Sequence, residues 1–151
     1  MGPRLLTCLV AILATSCDKD FPRDPNGTLE NIQAARQFDV GVAAPLMEGQ
    51  QAERIQALLD RTAEAAGATP RVETGDTEPL LKRLEEGELD LVIARFDKRS
   101  PWAKLVAIGP PIHVEHQGDT VLELAPAMQN GENAWIALVE REARDLAPEA
   151  Q

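Results

Sequence analysis

Two short stretches hold most of the residues that could do chemistry. One is "RFDKRSPWAK", residues 95–104, in which four cations, an acid, a hydroxyl and an indole follow within ten positions. A cluster of that kind could grip a small charged solute, with Arg95, Phe96, Asp97, Ser100 and Trp102 supplying the contacts. It reads equally as a solvated turn with Trp102 folded back as a core plug. The other is "HVEHQGD", in which His113, Glu115, His116 and Asp119 are metal-ligand types. In an extended segment His113 and His116 face opposite sides, and no third histidine supports them, so no metal site is expected. Ser16 and Ser100 have no His/Asp pattern beside them that would make a nucleophile. "GVAAPLMEG" lacks the glycine spacing of a phosphate loop. The residues therefore predict neither an enzyme nor a cofactor.

Composition narrows the partners. The chain has 151 residues, enough for one domain with one core, and is 44% hydrophobic, as a folded protein is. Aromatic residues make up 3% and tyrosine is absent, which argues against a sugar platform or a base-stacking surface. The net charge is −10 and the pI about 4.6, so nucleic acid is excluded as a charge-driven partner, as are anionic headgroups.

The start of the chain points to export. "MGPRLLTCLVAILATSC" has one cation, Arg4, and then an apolar run from Leu5 to Ala14, too short for a stable bilayer span. We read residues 1–16 as a signal peptide; its removal takes away Arg4 and no acid, and moves the charge from −10 to −11. "LATSC" resembles a bacterial lipobox, in which the cysteine, here Cys17, is lipidated and becomes the N-terminus. The other reading is ordinary cleavage without lipid. Cys8 would leave with the signal, and Cys17 alone cannot form an internal disulfide. Membrane contact is then expected only through a lipid on Cys17, with the protein in the periplasm. Residues 17–27, rich in Asp, Pro and Gly, read as a tether, residues 28–147 as the domain and 148–151 as a tail.

Several elements must position the polar clusters. "TLENIQAARQ" predicts a helix capped by Thr28, and "FDVGVAA" a buried strand. "QQAERIQALLDRTAEAAG" predicts the clearest helix, with Ile55, Leu58, Leu59, Thr62 and Ala66 on one stripe and Gly67 at its end. "TPRVETG" is a weak strand. "TEPLLKRLEEG" is a helix that Thr77 can cap and Gly87 ends. "ELDLVIARF" is apolar enough for a central parallel strand buried on both faces. Residues 99–118 look irregular. "DTVLELAP" is a further strand, and "NGENAWIALVEREARDL" a helix capped by Asn130 that buries Trp135, Leu138, Val139 and Leu146. The alternation predicts an α/β lobe of three layers, its mostly parallel sheet ordered 2-1-3 with a returning strand. In such sheets ligands collect beyond the carboxyl ends of the strands, which puts Ala44, Pro45 and Met47 after strand one beside the cluster from Arg95 to Trp102.

The run "DPNGTLENIQAARQFDVGVAAP", followed by "LLKRLEEGELDLVIARFDKRSPWAKLVAIGPPI", resembles the first lobe of the periplasmic solute-binding proteins of polar-amino-acid ABC transporters. Leu80, Leu81, Leu84, Glu85, Gly87, Asp90, Leu91, Val92 and Ile93 match that family's "LLxxLExGxxDLVI", and Pro110 and Pro111 stand at its "PY" corner. The tail "GENAWIALVERE" is similar to its returning helix. The resemblance implies a periplasmic-binding-protein-like fold and a cleft for amino acids or related solutes. It also implies a second lobe of roughly a hundred residues, a domain in its own right, for which residues 99–118 leave no room. The family's carboxylate-gripping Arg has no match at its spacing, and Lys104 lies about there instead. The expectation is a single lobe that binds a small polar solute weakly, or that serves a periplasmic protein as an accessory. The alternative is a working transporter component whose cleft is completed by a dimer or a partner such as an ABC permease.

Overall fold

A computed structural model describes residues 24–46 and 49–147. The signal segment, Cys17 and Met47 lie outside them.

The buried helices and strands up to residue 97 follow the apolar pattern that predicts them. Helix α1, Thr28–Ala35, leads into strand β1, Gln37–Ala43, and a short 3₁₀ turn, Ala44–Leu46. Helix α2, Gly49–Ala66, buries the stripe read from the sequence: Ile55, Leu58, Leu59, Thr62 and Ala66. Strand β2, Thr69–Gly75, helix α3, Thr77–Glu85, and strand β3, Leu91–Asp97, complete a βαβαβ unit. Leu91, Val92, Ile93 and Ala94 are fully buried, as a strand covered on both faces must be.

The stretch from 99 to 118, expected to be irregular, is more ordered than that. It holds a 3₁₀ turn, Pro101–Lys104, strand β4, Val106–Ile108, and strand β5, His113–Gln117. β4 is three residues long and β5 carries polar residues on both faces, so neither shows a strand pattern. Their order comes from pairing with the long strand β6, Thr120–Gln129, which also pairs antiparallel with β3. The Gly109-Pro110-Pro111 kink keeps contact with β6 through Gly109 N–H to Pro126 (2.8 Å) and Ile112 N–H to Leu124 (2.8 Å). The sheet order is β2-β1-β3-β6-β4, with β5 beside the other half of β6. The predicted 2-1-3 order is present and parallel.

Helix α4, Asn133–Arg144, packs with α1 and α2 on one face of the sheet, and α3 covers the other. At Gly41 a Cβ would lie 2.8 Å from Leu80 Cδ2, so the glycine lets α3 settle directly on β1. Trp135 is fully buried, meets Phe38 edge-on at 5.5 Å and donates Nε1–H to the Asp90 carbonyl at 2.7 Å.

The helix caps differ from the sequence reading. Thr28 lies inside α1, whose first N–H groups are served by the fully buried Glu132: it accepts from Asn26 N–H and Thr28 N–H, each at 3.0 Å. Asp76, not Thr77, precedes α3. Glu132, not Asn130, precedes α4, and Asp24 accepts from Ala134 N–H at 2.7 Å. The chain is thus already held to the domain at Asp24.

Candidate ligand-binding site

The carboxyl ends of β1 and β3 share one edge of the sheet, and the turn joining β5 to β6 reaches the same edge. That turn is tight, with Gly118 at φ 59°, a conformation a glycine takes without strain. Across the sheet Asp97, Leu122 and Glu115 stand in one row, and Arg95, Leu124 and His113 in the next. Arg95 and Glu115 meet over β6: Arg95 Nη2 is 3.3 Å from Glu115 Oε2 and donates to Gln51 Oε1 of α2 at 2.7 Å. Gln117 donates to Glu115 Oε1 at 3.1 Å, while the buried Oε2 has no hydrogen-bonding partner beyond that ion-pair contact. The Gln117 hydrogen bond, with Arg95, His113 and Gln51 acting the same way against desolvation, holds the Glu115 carboxyl below its usual range. It is ionised at neutral pH.

Asp97 is exposed and builds the turn that follows. Its Oδ1 accepts from Arg99 N–H at 2.6 Å and its carbonyl from Ser100 N–H at 3.1 Å. Beside it lies an open groove of about 360 Å³ lined by Asp97, Lys98, Arg99, Asp119, Thr120 and Val121. Two acids and two bases around one groove suit a small polar molecule that carries both charges.

The residues singled out from the sequence divide into three groups. Arg95 and Asp97 reach the edge on one face of the sheet, and Ala44 is exposed at the end of β1. Phe96 points to the opposite face and is buried in the core, at 4% exposure. Trp102 is half-buried and packs against that core, and Ser100 precedes its 3₁₀ turn without capping it. Gln51, Thr120 and Val121 carry no local signal, and Asp119 stands out only as a metal-ligand type. They arrive through the start of α2 and a hairpin whose return strand brings distant residues back to β3. His113 and His116 lie on opposite faces of β5, and among the described residues no three metal-ligand side chains gather.

No family model and no curated protein matches the sequence. Solved structures do. An arginine-bound form of domain 1 from TmArgBP, a phenylalanine-to-tryptophan mutant, superposes with a TM-score of 0.65 at 17% identity, covering 78% of this chain and 97% of that one. An amino acid ABC transporter substrate-binding protein from Streptococcus pneumoniae, bound to L-arginine, gives 0.63 at 10% identity, covering 79% and 91%. The truncated ArgBP from T. maritima, residues 20–233, gives 0.62 at 10%, covering 78% and 99%. The fold is therefore that of domain 1 of the amino-acid substrate-binding proteins: one α/β lobe around a parallel β2-β1-β3 core. The matched span of the truncated ArgBP is longer than this whole chain, so part of it has no counterpart here. The resemblance read from "LLKRLEEGELDLVI" holds at the level of the fold.

Proposed function

We propose that the chain is an exported, lipid-anchored, single-lobe solute-binding protein that takes a small polar solute weakly at the carboxyl end of β3. The observation that carries this reading is the solvent-open groove beside Asp97, next to the Arg95–Glu115 pair. A solute with a carboxylate and a cationic group finds both complements there, in Lys98 and Arg99 and in Asp97 and Asp119, with Arg95 close by on the same face. The arginine-bound domain 1 of TmArgBP supports it further, since there one lobe of this fold holds an amino acid.

An open face makes fewer contacts than a closed cleft and leaves water in place. Binding no tighter than about millimolar, roughly −4 kcal/mol, follows for the isolated chain. Titration calorimetry of the chain against a panel of amino acids and small acids tests this. Millimolar binding lost on substituting Asp97 supports the reading. Micromolar binding by the monomer overturns the weak-binding part, and no binding across the panel moves the function to a protein partner.

A further inference from the structure

The free edge of the sheet at β2 fits a second copy of this chain. Asp39 spends both backbone groups on the β3 side: its carbonyl accepts from Asp90 N–H at 2.9 Å and its N–H donates to Asp90 Oδ2 at 2.8 Å. Successive residues of a strand turn their N–H and C=O to opposite sides, so Phe38, Val40 and Val42 serve β2. On β2 the residues that answer them are Thr69, Arg71, Glu73 and Gly75, and Thr69 N–H indeed donates to the Arg36 carbonyl at 3.0 Å. Pro70, Val72 and Thr74 therefore present their backbone groups outward. Proline fits that side of an edge strand because its missing N–H leaves no gap in the ladder.

We propose that two copies join antiparallel along β2, about a two-fold axis through Val72, so that one sheet runs through both. In that register residue 70 faces 74, 71 faces 73, and 72 faces itself. Val72 of each copy donates to and accepts from Val72 of the other, and each Thr74 N–H donates to the opposite Pro70 carbonyl. Both outward donors on each copy are satisfied, and the proline enters only as an acceptor. The interface is self-complementary, as an isologous contact must be.

The side chains fit the same register. Arg71 faces Glu73 of the second copy in the closer kind of antiparallel pair, with Cα atoms about 4.5 Å apart. Arg71 already holds Asp39 by two hydrogen bonds of 2.6 and 2.7 Å, and Glu73 pairs with Arg83. Joining the copies extends these pairs into a row of alternating sign: Asp39, Arg71, then Glu73 and Arg83 of the second copy. Val72, one of two large hydrophobic residues exposed among those described, is 40% exposed and lies on the axis. A one-residue slip would instead set Val72 against Arg71 or Glu73 and turn the patterns out of phase.

Because residue 72 meets itself, a charge there repels its own copy and attracts the opposite one. Sedimentation of the full chain, solubilised in detergent, over a concentration series reads this directly. We expect a dimer for the wild type, with a dissociation constant raised about tenfold or more in Val72→Lys and likewise in Val72→Glu. Mixing the two variants should restore a heterodimer that weakens with added salt. Circular dichroism checks that each variant is folded; Val72 makes no intramolecular backbone bond on that edge, so the fold should survive. A wild type that stays monomeric overturns the proposal, and so the proline and charges would act only as guards of the edge. A dimer indifferent to both variants, or a mixture that fails to pair, overturns it too.

Discussion

At the scale of single residues, two carboxylates decide most of what is specific to this chain. Glu115 engages Arg95, so under the proposed function the chain carries an internal competitor for that guanidinium. Glu115→Gln should free Arg95 and tighten binding of an acidic solute by up to about tenfold, while Arg95→Ala should weaken it by a similar factor; calorimetry with the same panel reads both. Glu132 is the other. It is fully buried, yet desolvation is outweighed by hydrogen bonds from Thr28 and Asn26, and its pKa lies below the ordinary value of 4.5. A carboxyl depressed in the folded state stabilises above its unfolded pKa and loses that contribution as pH falls through the folded one. Glu132→Ala should therefore cost about 2 kcal/mol at pH 7, the worth of hydrogen bonds to a charged group. The gap to wild type should narrow as pH falls below 4.5 through the depressed folded pKa, as chemical denaturation over a pH series would measure.

At the scale of elements, the reading from sequence succeeds where burial repeats with a helical or strand period. The stripe of α2 and the run Leu91–Ala94 are of that kind, because a helix or strand must put its apolar face somewhere. It fails where order is supplied from far along the chain. The caps of α1 and α4 come from Glu132 and Asp24, more than a hundred residues from the groups they serve. β4 and β5 exist through pairing with β6, and their own residues alternate too little to announce a strand. Half of the candidate site shares that origin: Arg95 and Asp97 were legible as the end of a buried strand, whereas Asp119 and Thr120 come from the hairpin turn. Phe96, expected among the solute contacts, lies in the core, because period-two alternation has no visible phase in a strand apolar on both sides. The burial of β3 is testable directly. Ile93→Ala or Leu91→Ala should each cost about 2–5 kcal/mol, as large-to-small core changes do, and Lys98→Ala on the exposed turn little. Small losses at all three in denaturant melts would mean that β3 is not the central strand.

At the scale of the whole molecule, the two ends of β3 have different duties. Asp24 and Asn26 fasten the incoming chain beside Gln129 and the start of α4, at the amino end of β3. The groove beside Asp97 lies at the carboxyl end, a strand length away. Six residues lie between Cys17 and Asp24, and the seven steps reach about 25 Å at full extension, so a lipid on Cys17 would hold the domain close to the bilayer by the edge opposite the groove. Under the proposed anchoring, the groove lies at the end of β3 farther from the point of attachment. We expect Cys17→Ala to move the protein from the membrane fraction to the soluble periplasm, since under the proposed function the acyl chains on Cys17 are the attachment and two or more of them make it stable. Solute binding should be unchanged in the same variant, because the anchor and the groove share no residue. Fractionation with mass spectrometry of the N-terminus reads the first outcome, and calorimetry the second. Wild-type protein found soluble with an unmodified Cys17 would remove the anchor and, with it, the orientation, while leaving the lobe and its groove as described.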